Sequence, residues 1–249
     1  LITDPYFYLA AVPGVLLFGI SKGGFGGGLG FLSVPLMALA VTPAQAAAIM
    51  LPILMVMDIG AVWVCRNSWD RSLMKVLLPA GLLGIAIGML SFRWFSVAGL
   101  KLLLGVIALG FLLHRWRRRA VAPSRPSALK GVFWTTIAGV TTFVAHAGVP
   151  AVNVYLLPLR LRPAVYVGTV TILFAALNYA KVIPYWWLGL FDGEILATSL
   201  ALVPLGLLSI WAGFLLRGRL SEKLFYRVVY TLLAITGAKM LYDGVRGLA

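Results

Sequence analysis

Ten apolar runs fill this chain almost end to end, and that pattern leaves few folds open to it. They cover residues 6–20, 25–41, 43–66, 73–92 and 97–114. After a polar stretch at 115–126 come 128–144, 149–159, 163–188, 193–216 and 223–244. Most approach or exceed the roughly 20 residues a helix needs to cross a hydrocarbon core of about 30 Å. Composition agrees: 61% of the 249 residues are hydrophobic and 11% charged, against about 45–50% and 25% in soluble domains. A soluble domain, a disordered chain and a disulfide scaffold are excluded, the last because Cys65 is the single cysteine. The opening Leu1-Ile2-Thr3-Asp4 lacks a basic region and does not read as a cleavable signal peptide. The expected fold is an all-α polytopic membrane protein with one membrane domain.

The two sets of five runs look related. Residues 77–88 match 202–213 at seven of twelve positions, at an offset of 125. Pro35-Leu36 matches Pro158-Leu159 at 123, and Pro43 matches Pro163 at 120. Several ordered anchors with small drift indicate a duplication: repeat one at 6–114, a basic linker at 115–127 and repeat two at 128–246.

The net charge of +14 would suggest nucleic acid in a soluble protein. Placement of the charges says otherwise. With loops assigned alternately to two sides, sixteen Lys and Arg fall on one side, including the run Arg115, Arg117, Arg118 and Arg119. Four fall on the other, and Lys181 lies inside a run. The positive-inside rule makes the basic side the cytoplasm and places both chain ends outside. Five elements per repeat then give the repeats opposite orientations, as in many secondary transporters.

Runs 6–20 and 149–159 are short for a bilayer, at about 22 and 16 Å of helix. A Gly-rich or Gly-Pro break separates the first two elements of each repeat. Each repeat is therefore expected to be a broken-helix or re-entrant hairpin plus three transmembrane helices. Lys22 then sits in a hairpin tip, and the asymmetry becomes fifteen against four.

The breaks hold the candidate chemistry. Irregular backbone survives at membrane depth only inside protein or beside a wet cavity. In the first break, Ser21, Lys22, Gly23, Gly24, Phe25, Gly26 and Gly27 offer a hydroxyl, a charge and open backbone. A helix starting near Phe25 would aim free amides at an anion. The competing explanation is close helix packing, since Gly19/Gly23 and Gly24/Gly28 fit small-xxx-small spacing. In the second break, His146 and Gly148 precede Pro150, which suits a helical first turn.

Two polar positions lie deep in long runs. Asp58 is 15 residues past Pro43 and Asn178 is 15 past Pro163, about 22 Å into each helix. Lys181 lies one turn beyond Asn178 on the same face. Ionisable groups at such depth point to function, and Asp58 is the coupling or gating candidate. The competing readings are a helix-joining ion pair for Asp58, snorkelling for Lys181 and a satisfied structural role for His146. Gln45, Thr169 and Thr171 read as structural hydrogen-bonders. Trp69, Trp94, Tyr185, Trp186, Trp187 and Tyr242 read as interfacial anchors.

These motifs resemble the TauE/SafE sulfite-exporter family. The resemblance rests on Gly19, Ser21-Lys22-Gly23-Gly24-Phe25-Gly26-Gly27-Gly28 and Pro35, then Leu51-Pro52 with Asp58 and Trp69-Asp70. In the second half it rests on Ala145-His146-Ala147-Gly148-Val149-Pro150, Tyr155 to Pro158, and Asn178 with Lys181. Where many members repeat Gly-Gly-Gly in the second half, this chain has His-Ala-Gly-Val-Pro. The resemblance implies a bacterial inner-membrane transporter exporting small sulfur anions such as sulfite or organosulfonates. The expected partners are that anion and the lipid bilayer, with no nucleic acid, no cofactor and no metal. An anion channel, or an intramembrane enzyme using Ser21 with Lys22, is the alternative.

Overall fold

The computed structural model of the chain describes residues 1–24, 30–92, 94, 96–117, 125–216 and 222–248. Among them there is helix and no strand. The helices are α1 (Pro5–Gly24), α2 (Ser33–Met37), α3 (Pro43–Cys65), α4 (Arg71–Phe92), α5 (Val97–Arg117), α6 (Ala128–Ala145), α7 (Val149–Leu156), α8 (Pro163–Trp187), α9 (Gly193–Leu216) and α10 (Glu222–Arg246). One 3-10 turn, Gly30–Leu32, leads into α2, and another, Leu157–Leu159, follows α7.

Six of these helices, α1, α3, α4, α6, α8 and α9, are long and apolar enough to cross a membrane. Their surfaces are inverted relative to a soluble protein. Leu9, Trp63, Leu90, Leu200 and Trp211 are largely exposed, while Ser21, Asp58, Thr142, Asn178 and Lys181 are buried. Lipid, not water, suits such an exterior.

Each half opens with a hairpin of unequal arms. The second arms are short: α7 has 8 residues and α2 has 5. The first arm of the first half is longer than the run 6–20 implies. At 20 residues α1 spans about 30 Å and continues through Ser21 and Lys22 into the glycines. Packing explains the extension. A Cβ at Gly19 would overlap the Ser209 hydroxyl, and one at Gly23 would overlap the Ile210 carbonyl. The bare backbone of α1 therefore lies flush on α9 to its last turn, as small-xxx-small spacing allows.

Helix pairings repeat when α1–α5 are exchanged for α6–α10. Helix α1 packs on α9, and α6 packs on α4. Helix α3 packs on α9, and α8 packs on α4. Helices α3 and α8 pair with each other, as do α5 and α10. The exchange extends to single residues. Gly19 meets Ser209, and Gly139 meets Gly84, where a Cβ on Gly84 would lie 2.7 Å from the Gly139 Cα. Gly19 and Gly139 are 120 apart, and Gly84 and Ser209 are 125 apart. These are the offsets of the sequence match.

The long central helices have firm starts. Thr42 and Gln45 form a reciprocal capping box at α3, with Pro43 in its first turn, and Pro163 opens α8. Gln45 thereby has the structural role expected of it. Thr169 accepts a hydrogen bond from the Asp70 amide at 2.9 Å, tying α8 to the start of α4. Of the aromatic anchors, Trp94, Trp186, Trp187 and Tyr242 are exposed, and Trp69 is half-buried. Tyr185 is not an anchor. It is 1% exposed, donates its hydroxyl to the Phe143 carbonyl and packs edge-on against the Phe143 ring.

Candidate functional site

The pairing of α3 with α8 brings their deep polar residues into contact. Asn178 donates through Nδ2 to Asp58 Oδ2 at 2.7 Å. The other carboxylate oxygen, Oδ1, accepts from the Lys22 ammonium in a salt bridge. Asp58 is 1% exposed, whereas the Lys22 side chain is 15% exposed. A buried carboxylate persists only when paired and hydrogen-bonded, and Asp58 has both kinds of partner. Lys22 is thus a neutralised cation, not the bare charge that its sequence setting suggests.

A second cluster lies beside the first. Lys181 is fully buried, so it does not snorkel to an interface. Its Nζ lies 2.7 Å from His146 Nδ1 and donates to the Thr142 carbonyl at 3.1 Å and hydroxyl at 3.4 Å. On the far side of the imidazole, Nε2 lies 2.9 Å from the Ala47 carbonyl. A carbonyl only accepts, so Nε2 carries a hydrogen. A neutral His146 then presents Nδ1 as acceptor to Lys181. The pair shares one donor hydrogen between Nζ and Nδ1.

His146 ends α6 in the left-handed region, at φ 52° and ψ 26°. Its amide caps the helix by donating to the Thr142 carbonyl at 3.0 Å. Such backbone is uncommon for a residue with a Cβ and costs about 1–3 kcal/mol. The bonds from both ring nitrogens hold it there. Pro150 occupies the first turn of α7, as its position after the break predicts.

Between the clusters is a small open cavity. Lys22, Asp58, His146 and Asn178 line it, together with Thr142, Thr171, Phe18, Leu54, Val149 and Phe174. The walls are mostly apolar, and the polar groups converge from α1, α3, α6, the α6–α7 break and α8.

The remaining sequence candidates take other places. Ser21 is buried. Gly23 faces the Ile210 carbonyl of α9, which makes it a packing residue. Gly24 is the last residue of α1. Gly148 precedes α7 and is pressed between Phe174 and the Ala138 carbonyl. Lys181 stands behind His146. Phe25, Gly26 and Gly27, and with them the helix start expected near Phe25, lie outside the described residues. Among the described residues no three His, Cys, Asp or Glu side chains gather as a metal site would require.

Thr142 and Thr171 were not singled out as site residues. A signal for Thr142 was available, because it stands 120 residues after Lys22, the spacing that relates Asp58 to Asn178. Thr171 lies two turns before Asn178 on α8 and carries no such mark.

No curated protein and no solved structure matches the chain. A family model described as "Sulfite exporter TauE/SafE" does match, over residues 11–240. That range runs from α1 into α10 and takes in both hairpins, both deep polar helices and the cavity between them. The chain belongs to the TauE/SafE sulfite exporter family of membrane transporters.

Proposed function

We propose that this chain is a secondary transporter that exports a small sulfur oxyanion, sulfite or an organosulfonate, from the bacterial cytoplasm by alternating access. The observation that carries this reading is the convergence of Lys22, at the end of the first hairpin's long arm, and His146, at the second hairpin's break, on one cavity. The Lys22 ammonium supplies the charge complement to an anion. The Asn178 amide and the Thr142 and Thr171 hydroxyls supply further donors, and the apolar walls strengthen each of these interactions by excluding water. Lys181 supports the site from behind His146.

The exchange of partners between α1–α5 and α6–α10 supports two repeats built on one plan. The basic residues at one set of loop ends support opposite orientations, with the 115–127 linker cytoplasmic and both termini periplasmic. Rocking of one repeat against the other would expose the cavity to each side in turn.

Flux in proteoliposomes tests the reading. The wild-type protein is expected to move sulfite saturably and to show counterflow. Lys22→Ala is expected to abolish flux while the protein remains monodisperse in detergent. Normal flux in that variant, or non-saturable conduction by the wild type, overturns the assignment.

A further inference from the structure

We propose that Asp58 is the resident occupant of the anion site, and that substrate replaces it at Lys22 only together with one proton. The inference rests on the transport reading above and adds the coupling ion to it.

The argument is one of charge at a single ammonium. Lys22 is a cation on the cavity wall, and its salt-bridge partner is the Asp58 carboxylate. An arriving oxyanion seeks the same donors. If Asp58 stays ionised, two negative charges share one positive charge in a site that is largely withdrawn from water. Like charges so placed raise the affinity of one of them for a proton. Protonation of Asp58 resolves the conflict. A proton from solution forms the Oδ1–H bond, the Lys22 hydrogen bond to Oδ1 breaks, and the ammonium turns to an oxygen of the anion. For a monoanion the Lys22–Asp58 site carries zero net charge before and after.

The surroundings favour this exchange at Asp58 over a second cation taking up the anion's charge. From α8, Asn178 and Lys181 face this region, and Lys181 is occupied by His146 and Thr142. From the α6–α7 break, His146 is held on both nitrogens. Helix α9 offers Glu194 alone, in its first turn, and α6 offers Lys130 in its first turn. From α5, Lys101 faces Asp243. Asn178 stays bonded to Asp58 Oδ2 in either state, so a protonated Asp58 remains anchored as Lys22 leaves.

Calorimetric titration of the full chain in detergent, in two buffers of different ionisation heat, counts the protons. Thiosulfate and methanesulfonate serve as probes, since neither titrates between about pH 5 and pH 8, and sulfite is run alongside them. The expected result is uptake of about one proton per anion. Affinity should weaken as pH rises, by about tenfold per pH unit wherever binding takes up one proton. Asp58→Asn should bind without proton uptake, with an affinity independent of pH. If sulfite alone binds, the same test is the one-proton difference between wild type and Asp58→Asn. Binding to the wild type without that proton overturns the inference and leaves the transport reading standing. Failure of all three anions to bind overturns the transport reading itself.

Discussion

Asn178 Nδ2 and Asp58 Oδ2 meet at 2.7 Å across exactly the 120 residues that separate Pro163 from Pro43. Two residues, each 15 positions past the proline that opens its helix, therefore touch each other where α3 packs on α8. One of the pair is an acid and the other its neutral donor, so the contact between the halves is chemically asymmetric. The acid faces Lys22 in the first half, and Lys181, one turn beyond the amide, faces His146 in the second.

Removing the amide should expose its structural share. Asn178→Leu keeps the side chain's branching at Cγ and leaves Asp58 Oδ2 buried without its donor, at a cost of about 1–3 kcal/mol. Thermal unfolding in detergent should show the loss, and an unchanged midpoint would contradict the bond's role.

Lys22 and Asp58 should be strongly coupled. Lys22→Ala strands a buried carboxylate and is expected to destabilise by about 3–5 kcal/mol, while the Lys22→Ala, Asp58→Ala double variant recovers much of that. Unfolding of the four proteins completes the cycle. Additive single effects would show that the two side chains do not interact.

The helix contacts predict which glycines tolerate a methyl group. Gly84→Ala drives a Cβ into the backbone of α6 and should destabilise by about 1–3 kcal/mol or more. Gly60→Ala on α3 meets nothing within 4 Å and should be neutral or stabilise by about 0.5–1 kcal/mol. Equal unfolding midpoints for the two variants would refute the close approach of α4 and α6.

His146 combines an unusual backbone with two ring bonds. His146→Asn keeps a residue that tolerates the left-handed region and one polar partner for Lys181. His146→Ala keeps neither, and should be the less stable of the two by about 1–2 kcal/mol. The reverse order in thermal unfolding would show that neither backbone strain nor the Lys181 contact matters there.

Much of this molecule was legible in one dimension. Long apolar runs dictate membrane helices, because lipid offers the backbone no hydrogen-bond partners. The spacing of Asp58 and Asn178 from Pro43 and Pro163 singled them out before any contact was known. The reach of α1 past Ile20 was not legible. It depends on the shape of α9, whose Ser209 and Ile210 lie some 190 residues downstream. The burial of Tyr185, beside two exposed tryptophans, depends in the same way on Phe143.

The sequence by itself determined the solvent of this protein, its helices and the few polar residues placed too deep to be incidental. Those follow from local composition and spacing. Tertiary structure alone decided who pairs with whom. It set Lys22 against Asp58, Lys181 behind His146 and Gly23 against a neighbouring helix. Hydrogen-bond and charge pairing are matters of a few ångströms, and only the packing of distant helices brings the partners that close.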